Sequence, residues 1–130
     1  MQQFLSNPTN DKDTYIQYKL ELKYKCNKNL STKLKRQYPD RIPIVVVPYG
    51  KINLAKTNFL IDENCRFDQF ITNFINFNRL NHTQGYIFYI NDKIIKPSEL
   101  MVSLYDRYKE NGFLFVTVAT ENIFGNLSGW

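Results

Sequence analysis

The chain has few of the residues from which catalytic centres and metal sites are usually built. Its 130 residues include one histidine, His82, and two cysteines, Cys26 and Cys65, which lie far apart and form no CxxC pair. Isolated residues of this kind are usually solvated or structural. We therefore expect reduced thiols, no metal, no cofactor, no catalytic residues and no enzymatic activity of the chain itself.

Long apolar stretches are also missing. No run approaches the roughly 20 apolar residues that a membrane-spanning helix requires, and the first residues, MQQFLSNPTNDKD, lack the basic-then-apolar order of a signal peptide. The length suits one domain that buries its own core. The sequence therefore predicts a single cytosolic or nuclear domain.

Positive charge, by contrast, is present and is unevenly distributed. Residues 1–60 contain eleven Lys or Arg against four Asp or Glu, within a net charge of +5 for the whole chain. The predicted basic face comprises Lys25, Lys28, Lys35 and Arg36. Such a face could bind tubulin tails, anionic lipid, RNA or acidic peptides. The alternative is that it only keeps the protein soluble. The lysines are not interleaved with exposed aromatics in a recognisable module, so we expect no nucleic-acid partner.

The first part of the chain predicts an extension followed by helices. Residues 1–14 are polar, contain Pro8 and show no periodicity, which indicates a flexible or partner-ordered extension. From Tyr15 to Gln37, apolar residues recur about every four positions, which predicts one or two basic helices. Pro39 ends them. The predicted apolar stripe is Ile16, Leu20, Tyr24, Leu30, Leu34 and Tyr38.

The remainder alternates between strand and helix patterns. A central strand covered on both faces fits "RIPIVVVP", Arg41 to Pro48, because it is apolar without alternation. Gly50 marks a turn, and Asn58 to Asp62 completes a hairpin. A helix follows around Phe67 to Ile75, and then a strand from Tyr86 to Asn91 that ends in an Asn91-Asp92 turn. A second helix around Met101 to Tyr108, with Gly112 placed to cap it, precedes a last strand from Phe113 to Ala119.

This order of elements corresponds to the β-grasp plan of ubiquitin. We predict an α+β fold with a four-stranded mixed sheet and two additional N-terminal helices. The two doubly apolar strands would be the adjacent central pair, with the Phe-rich helix on one face and the N-terminal helices on the other.

Two segments also resemble a known family. "KLKRQYPDRIPIVV", Lys33 to Val46, is similar to KIRKKYPDRVPVIV, and "GFLFVTVATENIFG", Gly112 to Gly125, is similar to GFLYVTYSGENTFG. Both belong to the autophagy ubiquitin-like modifiers, the group of GABARAP and the microtubule-associated protein light chains. The resemblance extends from Tyr24 to Gly125.

The resemblance implies a modifier that is processed and conjugated at its C-terminus. A cysteine protease would cut after Phe124 and Gly125, and activating and conjugating enzymes would then join Gly125 to phosphatidylethanolamine. The domain would span residues 15–125, and residues 126–130 would be removed. A C-terminal glycine suits these reactions because it has no side chain to obstruct narrow protease and thioester clefts.

The resemblance further implies a docking site for receptor proteins. A short motif of the aromatic-x-x-aliphatic type would add a strand beside Asn58 to Asp62. Lys56 would pair with acidic residues that flank the motif. This sequence differs from the family at Asn58, where a lysine is expected, and at Phe77, where an arginine is expected. By position, Leu34, Pro43, Leu60 and Phe113 would line the aromatic pocket, and Phe59, Ile61, Cys65 and Phe70 the aliphatic pocket.

Two functions remain open at this level. The first is the conjugated modifier, located in the cytoplasm and partly on the autophagosomal membrane through its covalent lipid. The alternative is a non-conjugated ubiquitin-like scaffold subunit of a larger assembly. Microtubules are its first candidate partner, because tubulin tails are acidic, and the cytoskeleton is then its location.

Overall fold

The structure, a computed structural model, describes residues 11–81 and 83–121. Four helices and five strands form an α+β domain in that part of the chain. In chain order they are α1 (Asp11–Lys25), α2 (Lys28–Gln37), β1 (Arg41–Tyr49), β2 (Asn58–Asp62), α3 (Phe67–Phe77), β3 (Tyr86–Ile90), β4 (Lys93–Ile94), α4 (Met101–Tyr108) and β5 (Leu114–Thr120). None of these helices is both long and apolar enough to cross a bilayer.

The strands form one mixed sheet in the order β2-β1-β5-β3-β4. Strands β1 and β5 are the parallel central pair, with Ile44 opposite Leu114, and β2 pairs antiparallel with β1. The predicted hairpin and central pair are therefore confirmed. A central position explains why both strands lack alternation, since helices cover both of their faces.

The sheet has one strand more than the four expected. Strand β4 contains only two residues and pairs with the end of β3. The turn between them places Asn91 and Asp92 at φ 51° and 64°, the left-handed region that tight hairpin turns require. Two residues are too few to show an alternating pattern, which is why the sequence predicted the turn but not the strand.

The main core lies between the sheet and helices α3 and α4. Phe67, Phe70 and Phe74 of α3 are fully buried there, against the even-numbered residues of β1 such as Ile42 and Ile44. Their spacing of three and four residues places them on one helical face. The predicted Phe-rich core helix is confirmed.

The opposite face of the sheet is covered by α1 and α2, but not by the predicted stripe of α1. Ile16, Leu20 and Tyr24 are 43 %, 60 % and 86 % exposed. The residues that pack on the second core are instead Tyr15, Tyr18 and Leu22 of α1, with Leu34 of α2; this core contains Cys26, Val45, Val47, Phe113 and Phe115. The prediction was wrong because a tyrosine can bury its ring while its hydroxyl remains hydrogen-bonded.

Polar contacts join α1 to the rest of the domain. The Tyr15 hydroxyl is hydrogen-bonded to the Thr117 hydroxyl at 2.8 Å, and Lys23 Nζ lies 2.6 Å from a Glu110 carboxylate oxygen. The helix begins at Asp11, so residues 11–14 belong to it rather than to the predicted extension. Residues 1–10 lie outside the described residues.

Gly112 does not cap α4, contrary to the sequence prediction. Lys109 closes that helix through its N–H, which donates to the Tyr105 carbonyl at 2.9 Å. Gly112 lies in the turn before β5 with φ 82°, and a Cβ there would overlap the side chain of Ser31 on α2. Glycine is therefore needed both for its conformation and for the close approach of α2.

Candidate functional site

Strand β2 forms one edge of the sheet, and its register shows which backbone groups point outward. Val46 N–H donates to the Thr57 carbonyl and Glu63 N–H to the Asp40 carbonyl, so the hydrogen-bonded pairs alternate along the ladder. By this alternation, the N–H and C=O groups of Leu60 point away from β1. Among the described residues, no strand pairs with this outer side. The edge can therefore accept another extended chain.

The four residues predicted for the aliphatic pocket come together on the α3 face of the sheet. Phe59 and Ile61 project from β2 and pack, with Cys65, against the buried core that contains Phe70. Phe59, Ile61 and Cys65 are partly exposed, whereas Phe70 is 1 % exposed. Phe70 therefore forms the floor of this surface rather than an open wall.

The four residues predicted for the aromatic pocket lie on the opposite face. Leu60 is the direct neighbour of Pro43 across the β1–β2 ladder, and Leu34 of α2 packs on the core that contains Phe113. Leu34 and Leu60 are partly exposed, while Pro43 and Phe113 are buried. Pro43 costs no ladder hydrogen bond, because its nitrogen faces β5 and the pairing with β5 starts only at Ile44.

Lys56, just before β2, holds its ammonium over two aromatic rings. Its Nζ is 5.2 Å from the centroid of the Phe59 ring and 5.0 Å from that of the Phe77 ring. The two rings meet edge to face at 6.0 Å. This arrangement, the Lys56 cluster, consists of Lys56, Phe59 and Phe77, and its distances suit cation–π attraction.

Asn78 fixes the position of the Lys56 cluster. Its buried side chain accepts a hydrogen bond from the Lys56 backbone N–H at 2.8 Å and donates to the Phe74 carbonyl at 3.1 Å. The sequence analysis missed Asn78; the only signal was a polar residue one position after the apolar end of α3. The loop before β2 is thereby attached to the end of α3.

Arg41 is a second residue that the sequence analysis missed. Its guanidinium donates to the outward-facing Leu60 carbonyl at 3.4 Å. A charged side chain of this kind protects an edge strand against unwanted pairing. An incoming strand would displace Arg41 to reach that carbonyl.

The predicted basic face is only partly available. Lys25, Lys28 and Arg36 are exposed. Lys35 Nζ, in contrast, donates to the Pro39 and Arg41 carbonyls at 3.3 and 3.1 Å and lies over the Tyr105 ring. Lys35 therefore serves the junction between α2 and β1, and replacing it would disturb that junction as well as the surface charge.

The two cysteines are free thiols with low reactivity. Burial raises the pKa of Cys26, and burial together with Asp62 and Asp68 raises the pKa of Cys65. A raised pKa reduces the thiolate fraction, which is the nucleophilic form. Cys65 thus contributes an apolar contact to the edge rather than chemistry.

The predicted conjugation residues Phe124 and Gly125 lie outside the described residues. The chain reaches them from the end of β5, where the Glu121 N–H donates to the Gly85 carbonyl at 3.0 Å. The last described residue thus follows a central strand directly.

The β-grasp sheet with a free edge strand defines a ubiquitin-like protein, and comparison with known proteins gives its family. The family described as "Autophagy protein Atg8 ubiquitin like" matches residues 26–125. The chain belongs to this family.

Individual relatives agree with this assignment. Autophagy-related protein 8 of Schizosaccharomyces pombe is 27 % identical over 115 residues, which cover 85 % of this chain and 95 % of that protein. The crystal structure of Trypanosoma brucei ATG8 superposes with a TM-score of 0.65 at 23 % identity, covering 72 % of this chain and 84 % of that one. Plasmodium falciparum Atg8, solved in complex with a P. falciparum Atg3 peptide, superposes with a TM-score of 0.63 at 23 % identity, covering 72 % and 89 %. The comparisons give no support to the scaffold alternative.

Proposed function

We propose that this Atg8-family protein is a lipid-conjugated modifier that captures receptor motifs on the outer edge of β2. The observation that carries the docking role is the edge itself, which combines outward backbone groups with apolar surface on both sheet faces. Backbone hydrogen bonds supply affinity in such strand addition, and the side-chain surfaces supply specificity.

The pleat of a strand explains why an aromatic-x-x-aliphatic motif fits this edge. Side chains at positions i and i+3 of an extended chain point to opposite faces. Leu60 and Leu34 offer apolar surface on one face, and Phe59 and Ile61 offer it on the other. A single added strand therefore brings each anchor of the motif to an apolar surface.

Peptide titration tests the docking role. A peptide with the two anchors three residues apart is expected to bind with a Kd on the order of micromolar, because two side chains and a few backbone hydrogen bonds must offset the cost of ordering the peptide. Leu60→Ala is expected to weaken binding at least about tenfold, the loss of one well-buried anchor contact. Ile94→Ala is the matched control, since Ile94 is an exposed residue on the opposite edge strand β4. Binding that survives Leu60→Ala would contradict the proposal.

Conjugation is supported by family membership and by the sequence "ENIFG" at residues 121–125. Hydrolysis after Gly125 would release residues 126–130 and free the glycine carboxylate. Activating and conjugating enzymes would carry that carboxylate as an adenylate and then as thioesters to the amine of phosphatidylethanolamine. The P. falciparum relative solved with an Atg3 peptide is in keeping with such enzyme partners.

Intact-mass analysis of the protein taken from cells tests conjugation. We expect a form that ends at Gly125 and a heavier form that carries the lipid. Gly125→Ala is expected to abolish both, because the added methyl obstructs the narrow clefts that must hold the terminus. A population consisting only of the full 130-residue chain would rule the modifier role out.

A further inference from the structure

The Lys56 cluster leaves an aromatic surface exposed beside the edge strand. Phe77 is 57 % exposed although its ring is held against Phe59. The Phe59 ring also meets the rings of Phe70 and Phe74, at 5.9 and 5.7 Å. Phe77 is therefore the exposed end of an aromatic cluster whose other members are partly or fully buried.

Neighbouring groups hold the exposed surface in place. Asn78 connects the Lys56 backbone to the end of α3, and the Lys56 ammonium lies over both Phe59 and Phe77. A surface fixed in this way loses little side-chain entropy when a ligand covers it.

A strand added to β2 in the register that places its second anchor opposite Phe59 would bring that side chain to this surface. The residue of the strand that lies opposite Phe59 shares its face of the sheet, with a Cβ separation of about 5 Å. A leucine at that position would contact Phe59 but would leave much of Phe77 uncovered. An aromatic ring is wide enough to cover Phe77 and to meet it edge to face at the ring distance that Phe59 and Phe77 already show.

We infer that Phe77 changes the specificity of the docking edge, so that the second anchor of its preferred peptide is aromatic rather than aliphatic. The ligand class is thus an aromatic-x-x-aromatic segment in extended conformation. This inference rests on the proposed docking function and refines its second subsite. Lys56 supports the subsite by fixing the Phe77 ring, and it remains able to pair with a carboxylate beside the second anchor.

Two peptides test the inference directly. They share a tryptophan at the first anchor and identical intervening and flanking residues, and they differ only in leucine or phenylalanine at the second anchor. Fluorescence anisotropy with the full chain gives both Kd values. We expect the phenylalanine peptide to bind about fivefold more tightly, the effect of one favourable aromatic pair.

Variants of Phe77 test whether this residue causes the preference for phenylalanine at the second anchor. Phe77→Ala is expected to remove it, and Phe77→Leu, which keeps an apolar side chain without a ring, is expected to remove it as well. Both variants should fold, since Phe77 is largely exposed, and their thermal unfolding verifies this. Ile94→Ala on the far edge strand is expected to keep the fivefold ratio.

The outcomes separate this inference from the docking function. Equal affinities of the wild-type protein for the two peptides, or a ratio that survives Phe77→Ala, would overturn the inference and leave the docking edge intact. Failure of both peptides to bind the wild-type protein would overturn the docking function, and the inference with it.

Discussion

Asn78 is the residue on which the geometry of the Lys56 cluster depends. Asn78→Ala removes two hydrogen bonds of the Asn78 side chain. One is accepted from the Lys56 N–H, and the other is donated to the Phe74 carbonyl. We expect a loss of about 1–3 kcal/mol in the free energy of unfolding, because the partly buried Lys56 N–H loses its acceptor, while the Phe74 carbonyl keeps the Asn78 backbone N–H. Urea denaturation measures the loss. Asn76→Ala, an exposed site in the same helical turn, is the control and should change stability by less than about 0.5 kcal/mol.

A second prediction for a single residue concerns Gly112. Gly112→Ala introduces a Cβ into the Ser31 side chain and forces φ 82° on a residue that avoids it. We expect a destabilisation of about 2 kcal/mol, from steric overlap together with backbone strain. Ser31→Gly in the same chain relieves the overlap but not the strain, so it should recover only part of the loss. Complete recovery in the double variant would show that strain contributes nothing.

A prediction at the scale of elements concerns helix α1, which carries two leucines on opposite faces. Leu22 packs on the second core, whereas Leu20 is 60 % exposed. Leu22→Ala is expected to lower the free energy of unfolding by about 2 kcal/mol, since it removes partly buried apolar surface and leaves a gap. Leu20→Ala should change it by less than about 0.5 kcal/mol. A larger loss of stability for Leu20→Ala than for Leu22→Ala would mean that the stripe predicted from the sequence is the face that packs on the sheet.

Some helices and strands could be predicted from the sequence, and others could not. Strands β1 and β5 and helix α3 were predictable because long-range packing only reinforces their local patterns, two doubly apolar runs and a phenylalanine stripe. The buried face of α1 was not, because it is decided by the packing of Tyr15, Tyr18 and Leu22 on strands that are far away in sequence, and by the Tyr15–Thr117 hydrogen bond. Strand β4 was too short to show a pattern.

The same distinction holds for the candidate site. The resemblance assigned Leu60 to one pocket and Phe59 to the other, and the structure places these two side chains on opposite faces of β2. The degree of exposure was not predictable, since Phe70 and Phe113 are covered by elements remote in sequence. Asn78 and Arg41 were missed because their roles exist only after the loop, β2 and α3 have come together.

At the scale of the whole molecule, a groove between α1 and the sheet makes stability sensitive to alkaline pH. The groove, of about 530 Å³, contains Tyr89 together with Tyr15, Tyr49 and Asp92. Burial, followed by the charges of these three neighbours, raises the pKa of Tyr89 from 10.0 to about 12. The neutral phenol is thus favoured in the folded protein.

The sign of the pH effect follows from this shift. Between about pH 10 and 12 the unfolded chain loses the Tyr89 proton while the folded protein keeps it, so stability falls as pH rises through this window, and below the window Tyr89 adds no pH dependence. Tyr89→Phe should therefore flatten the fall. Urea denaturation at intervals from pH 9 to pH 12 checks this for both proteins. Parallel curves for the two proteins would contradict it.

The parallel pairing of β1 with β5 also governs when this chain can fold. Ile44 pairs with Leu114, and the second core joins Val45 of β1 to Phe115 of β5. Neither core can close while a growing chain still lacks β5, so β1 must wait for a strand that is made about 70 residues after it. Such non-local pairing slows folding. During that interval the apolar residues of β1 have no closed core to cover them, and they remain open to contact with other chains until β5 has been made.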